Sequence, residues 1–382
     1  MTESFQETIN KIREAFGQPE SFIPLHEPRF RGNEKKYLND AIDSTFVSSV
    51  GAYVDKVEMM LSQIAQTEKA VATVNGTAGI QIALKMVGVS EGEEVITQAL
   101  TFIATANAIK HNGAVPVFLD VDVDTMGLSP DAVSNFLEEF GEIRENGVYN
   151  RRTNRRIAAC LPMHTFGFPV HLDKLILVCT KWNLPIVEDS AESLGSTYGT
   201  KPTGSFGTLG VFSFNGNKVV TSGGGGVIVT NNHVMAARAK HITTTAKIPH
   251  LYEYVHDEIG FNYRLPNLNA ALLCAQLEQL DTFLKSKREL ASEYHQYFSK
   301  SGIHFRTELP GTTANYWLMC IELETRKERD LFLSSSNSAG VMTRPIWQLL
   351  TRSTMYSSCQ KDDQKNATFL EDRIVNVPSS AR

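Results

Sequence analysis

The stretch KAVATVNGTAGIQIALKMVG, residues 69–88, decides the fold. KAVATV is a short β-type run, and TAGIQIALKMVG (77–88) follows it with Ile80, Leu84 and Val87 at helical spacing. Strand passing through a tight turn into helix is half of a βαβ unit. Outward from it the pattern repeats. EEVITQ (93–98) precedes TFIATANAIKHNG (101–113), AVPVFLDVD (114–122) precedes SPDAVSNFLEEF (129–140), and RIAACLPM (156–163) precedes HLDKLILVCTKWN (171–183). The runs LPIVEDS (184–190), TLGVFSF (208–214) and GVIVTNN (226–232) follow, bounded by Gly, Pro and Asn. Such alternation predicts an α/β domain with a mostly parallel central sheet and helices on both faces.

Beyond this region the pattern changes. Residues 266–300 read as a long amphipathic helix or helix pair. A smaller α+β unit follows, with strand NYWLMCIELE (315–324), helix KERDLFLSSSNSAG (327–340) stopped by glycine, and strand-like VMTRPI (341–346). The expected organisation is therefore an N-terminal segment plus large α/β domain over 1–265, and a connecting helix plus small C-terminal domain over 266–382.

Length and composition fit a two-domain globular protein: 382 residues, 42% hydrophobic and 21% charged. The net charge of -5 gives no basic field for double-helical nucleic acid. MTESFQETINKIREAFG at the start lacks the apolar core of a secretory signal, and no run is long enough to span a membrane, so the cytoplasm is the expected location. Cys160, Cys179, Cys274, Cys320 and Cys359 are scattered without a CxxC pair, and read as reduced packing residues rather than zinc ligands or a disulfide framework. No metal site is expected.

In a parallel α/β sheet, ligands sit outside the carboxyl ends of the strands. Three strand-ends carry chemistry. Asn75-Gly76-Thr77 opens a helix, whose free N–H groups and dipole suit a phosphate; the alternative is an ordinary turn capped by Thr77. VEDSAES (187–193) puts Glu188 and Asp189 at the end of an apolar run, where a carboxylate needs a cationic or N–H partner; the alternative is a helix cap. VFSFNGNKVVTSGGGG (211–226) places Lys218 ahead of four glycines, so that a flat ligand could approach the backbone; the alternative is a solvated lysine in a glycine-rich hairpin. A phosphate cradle, a carboxylate and an amine are what pyridoxal phosphate requires: an anion site, a partner for the ring nitrogen, and a Schiff-base amine.

Together with GFNYRLPNLNAALLCAQLEQL (260–280), these segments resemble the DegT/StrS-type nucleotide-sugar aminotransferases over residues 22–380. The resemblance implies the aspartate-aminotransferase-like type I fold, a cytoplasmic homodimer with shared sites, and pyridoxal 5'-phosphate on Lys218. It makes Asp189 the partner of the ring nitrogen and Phe102 the stacking aromatic, and it assigns Gly76, Thr77, Ala78 and Ser213 to the phosphate. Asn262 would reach the phosphate of the other subunit's cofactor, with Arg264 nearby. Where many members carry Gln or His, three residues after the aspartate, this chain has Glu192; a carboxylate beside the cofactor's phenolate would be protonated or turned away.

FVSSVGAYVDKVE (46–58), VITQALTFIATANAI (95–109) and TTTAKIPHLYEYVHDEIGFNYRLPNLNAAL (243–272) are similar to the subgroup of bacillosamine and legionaminic acid pathways. That likeness implies a UDP-linked 4-keto-6-deoxy-N-acetylglucosamine as substrate and glutamate as donor. His164 is a candidate for the sugar pocket or a core histidine; Lys247, His250, His256 and Arg344 are candidates for the diphosphate or solvated surface groups. Alternatives are a 3-aminotransferase acting on a dTDP-linked sugar, a dehydratase of the same fold, against which Lys218 speaks, and a non-catalytic regulatory relative.

Overall fold

The computed structural model describes residues 3–17 and 20–382. Helices α1 (Glu3–Ala15), α2 (Glu34–Asp43) and α3 (Ala52–Ile64) lead into the first strand. The central strands are β1 (Lys69–Thr73), β2 (Glu94–Gln98), β3 (Val115–Leu119), β4 (Arg155–Leu161), β5 (Val187–Asp189), β6 (Leu209–Ser213) and β7 (Gly226–Thr230). Helices α4 (Gly76–Met86), α5 (Ile103–His111), α6 (Pro130–Phe140) and α7 (Leu172–Lys181) are the crossovers, and α8 (His233–Thr243) follows β7.

Across the sheet the order is β3-β2-β4-β5-β6-β7-β1. β3, β2 and β4 pair in parallel, as do β5 and β6, and the parallel bridges Cys160–Ile186 and Met163–Asp189 join the two ladders. β7 alone runs antiparallel, to β6 on one side and β1 on the other, because residues 214–225 return the chain as a loop instead of a crossover helix. Most of these strands are buried along their whole length, as expected when helices cover both faces. The sequence reading missed one element. Between α6 and β4 the chain forms a hairpin, Gly141–Arg144 with Gly147–Asn150, that pairs antiparallel with the start of β4.

The segment after residue 265 is a helix pair, α9 (Asn267–Leu277) and α10 (Leu280–Ser301), ended by Gly302 in the left-handed region. The small sheet has β8 (His304–Phe305), β9 (Met319–Glu322), β10 (Arg344–Pro345) and β11 (Ile374–Val377) in the order β8-β9-β11-β10, all antiparallel. Helices α11 (Arg326–Ser338) and α12 (Lys365–Arg373) complete this part. α1 packs with it: the Phe5 and Phe332 rings meet edge-on at 5.3 Å, and Ile23 bridges to Val341. Among the described residues no helix is long and apolar enough to cross a membrane.

Candidate active site

A cavity of about 280 Å³ opens where β1, β5 and β6 end, bounded by α4, by the start of α5, by the loop after β6 and by Trp317, two residues before β9. Gly76, Thr77, Phe102, Asp189, Glu192, Ser213 and Lys218 all line it. These strands share a direction or abut the turn into α4, which is why residues so far apart in sequence share one opening.

At the end of β1 the cap of α4 is Asn75, not Thr77. Its Oδ1 accepts the Ala78 N–H at 2.8 Å and its carbonyl that of Gly79 at 3.1 Å. The N–H of Ala78 is thereby occupied by the cap, and Ala78 is buried and does not line the cavity. The leading N–H groups of α4, from Gly76 and Thr77, are the ones at the cavity, with Ser213 alongside. A Cβ on Gly76 would lie 2.8 Å from the Ser213 Cβ, so only glycine lets helix and strand close this cradle.

β5 separates its two acids by the strand's alternation. Glu188 turns away and accepts N–H bonds from Gly204, Phe206 and Gly207 at 2.8, 2.6 and 2.6 Å. Asp189 faces the cavity, where Thr105 donates to Oδ2 at 2.7 Å and the Ala191 N–H to Oδ1 at 3.2 Å. Burial pushes its carboxyl up, while these two donors, Lys218 and His164 pull it down. No helix begins here, so the capping alternative does not apply.

Lys218 lies on the loop between β6 and β7, its N–H bonded to the Asn215 carbonyl at 3.0 Å. It is in a hairpin, as the second reading allowed, yet its side chain is only 12% exposed. Nζ stands 3.5 Å from Glu192 Oε1 and 3.8 Å from the centre of the Trp317 ring. Burial lowers the ammonium pKa, opposed by Glu192 and Asp189. The glycine run proves structural for the most part. Gly223 and Gly225 have φ of +77° and +148°, and a Cβ on Gly226 would strike the Asn75 backbone at 2.5 Å; Gly224 lines the cavity, and a Cβ there would meet only the Val74 carbonyl oxygen, at 3.9 Å.

Glu192 is not turned away. Oε2 accepts the Phe166 N–H at 2.9 Å, and burial drives the carboxyl up to about 7 against the pull of Lys218. Because that value exceeds the ordinary one of 4.5, the folded protein keeps a proton that the unfolded chain releases, and stability falls as pH rises through this window. In Glu192→Gln this slope should flatten: Tm of the cofactor-free protein, followed from about pH 5 to about pH 8, should fall less than in wild type. Equal slopes would mean that Glu192 stays ionised throughout.

The remaining candidates lie elsewhere. His164 is a core histidine: Nδ1 accepts the Val170 N–H at 3.2 Å, which leaves Nε2 to donate to Glu188 at 3.1 Å. Arg264 donates to Asn262 Oδ1 at 3.0 and 3.1 Å, outside this cavity. Lys247 lies over Tyr254 at 4.1 Å on the exposed hairpin Lys247–Ile248 and Val255–His256, where His250 accepts the Glu253 N–H and His256 meets the Thr245 carbonyl. Arg344 donates to Asn337 Oδ1 and the Thr343 carbonyl on β10, an edge strand of the small sheet. Sequence reasoning missed Thr105, inside the motif TFIATANAI, and Trp317, whose partners lie about 100 residues upstream.

A model of the DegT/DnrJ/EryC1/StrS aminotransferase family matches residues 28–382. A GDP-perosamine synthase of Escherichia coli O157:H7 is 34% identical over 358 residues, covering 94% of this chain and 93% of that one. A Bacillus subtilis (strain 168) protein with the provisional name pyridoxal phosphate-dependent aminotransferase EpsN is 33% identical over 86% of this chain and 82% of its own. Among solved structures, the aminotransferase TlmJ from Streptoalloteichus hindustanus superimposes with a TM-score of 0.85 at 24% identity over 94% of each chain. The architecture is the type I fold of pyridoxal phosphate aminotransferases.

Proposed function

Because the chain belongs to the DegT/DnrJ/EryC1/StrS family of aminotransferases, whose cofactor is pyridoxal phosphate, we propose that it moves an amino group from glutamate to the 4-keto carbon of a nucleotide-linked 4-keto-6-deoxy sugar. The observation that supports this reading most is the meeting of an amine, Lys218, with a donor-held carboxylate, Asp189, beside the open start of α4. Bound there, pyridoxal phosphate supplies an electrophilic carbon for amines and a ring that accepts electrons when a neighbouring C–H bond breaks.

The protein's residues do the rest. The N–H groups of Gly76 and Thr77 and the Ser213 hydroxyl hold the phosphate, and Phe102, half exposed at the start of α5, offers its face to the ring. Asp189 keeps a negative charge at the ring nitrogen. Lys218 would take the proton from the carbon that bears the donor's nitrogen and deliver it to the carbon on the other side of that nitrogen, and burial favours the neutral amine this needs. Glutamate leaves as 2-oxoglutarate, and the ketone leaves as an amine.

Asn262, Arg264 and Lys247 then serve the site of a second copy. Leu251, Tyr252, Tyr254 and Ile259, beside them, are more than four-fifths exposed, as suits a surface covered in a homodimer. For the nucleotide, the sequence motifs favour UDP on an N-acetyl sugar, and the similarity to a protein named GDP-perosamine synthase favours GDP. Incubation with UDP-, GDP- and dTDP-linked 4-keto-6-deoxy sugars plus glutamate separates them, with NMR locating the new nitrogen. Turnover of the UDP or the GDP sugar at carbon 4 is expected. Amination at carbon 3 of the dTDP sugar would overturn the 4-keto assignment, and no amination of any would favour a non-catalytic relative.

A further inference from the structure

Trp317 stands two residues before β9, yet it forms a wall of the cavity and is fixed on several sides. Its N–H donates to Asn315 Oδ1 at 2.8 Å, and Asn315 Nδ2 donates in turn to the carbonyls of Glu192 and Leu194 at 2.9 and 3.0 Å. Its indole N–H donates to the Asn217 carbonyl at 2.6 Å, next to Lys218. Its own carbonyl accepts from Lys287 Nζ at 3.3 Å, and the same ammonium donates to the Ser379 carbonyl. Lys287 is fully buried and, among the described residues, no carboxylate is paired with it. Burial holds it down at about 7.

A buried lysine that binds only carbonyls is costly to keep and serves as a rigid pin where it persists. The pin sits under the residue whose π face lies 3.8 Å from the Lys218 amine. We propose that Trp317 is a positioning residue for amine transfer: held by Lys287, Asn315 and Asn217, its indole forms with Glu192 the seat that Lys218 occupies whenever its amine is not bonded to the cofactor. This rests on Lys218 being the cofactor lysine. The charged or titratable groups around that amine are Asp189 at the end of β5, Glu192 from the loop after it and His26 from the segment before α2.

The seat favours the ammonium through the indole face, 3.8 Å from Nζ. The test is the rate at which full-length protein stripped of cofactor binds pyridoxal phosphate covalently, measured against pH, since only the neutral amine attacks. In Trp317→Leu, which keeps an apolar wall, the midpoint should fall by about one pH unit. Lys287→Met should shift it in the same direction and add nothing in the Trp317→Leu background, whereas Lys287→Gln, which still donates to carbonyls, should restore the wild-type midpoint. An unmoved or raised midpoint in Trp317→Leu, with borohydride still fixing the label to Lys218, overturns the seat and leaves the aminotransferase reading intact. A label on another lysine overturns both.

Discussion

Lys218→Ala should fold and bind pyridoxal phosphate, yet lose transamination by at least about 10²–10⁴-fold, the share that a positioned acid–base group contributes. The loss is larger than for any neighbour because the same amine has two tasks, attachment of the cofactor and the movement of the proton. Wild-type protein treated with borohydride should carry the cofactor on Lys218, and Lys218→Ala should carry none. The other candidates have different surroundings. Lys201 lies over Phe206 at 4.6 Å, Lys240 pairs with Glu58 at 2.5 Å, and Lys287 is sealed beneath Trp317. A label on any of these would move the chemistry out of the cavity described. Stability should change little, because removing the ammonium lets Glu192 take up a proton and become neutral in its buried position.

The same neighbourhood shows what a sequence discloses and what it withholds. The βα units were legible because each is written locally, with an apolar run of strand length and then a helical period over residues such as Ile80 and Leu84. The strand-ends carrying Thr77, Asp189 and Lys218 followed from the parallel topology, since strands running together end together. The hairpin 141–150 escaped notice although Asn146-Gly147 is a common turn pair, because its strands are only four residues long. The cap was misplaced by two residues, since Asn75 and Thr77 are both competent caps and only backbone geometry chooses between them.

Side chains that depend on distant segments were harder. Trp317 reads as the opening of a strand, and nothing local says that its face meets a lysine about a hundred residues earlier. His164 follows a strand, as a pocket residue would, but the Val170 N–H and Glu188 take both of its nitrogens. Basic residues such as Lys247 and Arg344 resemble any surface cation until the neighbouring surface is known, and the hairpin that carries Lys247 is exposed and does not line its own cavity.

Asp189→Asn should leave the fold in place and lower transamination by roughly 10²–10³-fold, the cost of losing one preorganised electrostatic contact in a dry site. The shape argument is favourable. The asparagine carbonyl takes the place of one oxygen and accepts one of the two donors now aimed at Asp189. If Nδ2 falls opposite Thr105, that hydroxyl can turn, since Thr101 Oγ1 lies 2.8 Å away and accepts instead. Packing is therefore kept and only charge is lost. That charge matters because the ring nitrogen stays protonated only beside an anion, and without its proton the ring accepts electrons poorly. Glu188→Gln provides the contrast: it weakens three backbone contacts away from the cavity, so it should lower Tm and spare the rate. Near-normal turnover in Asp189→Asn at unchanged Tm would move the anionic role to the other buried carboxylate that faces Lys218, Glu192.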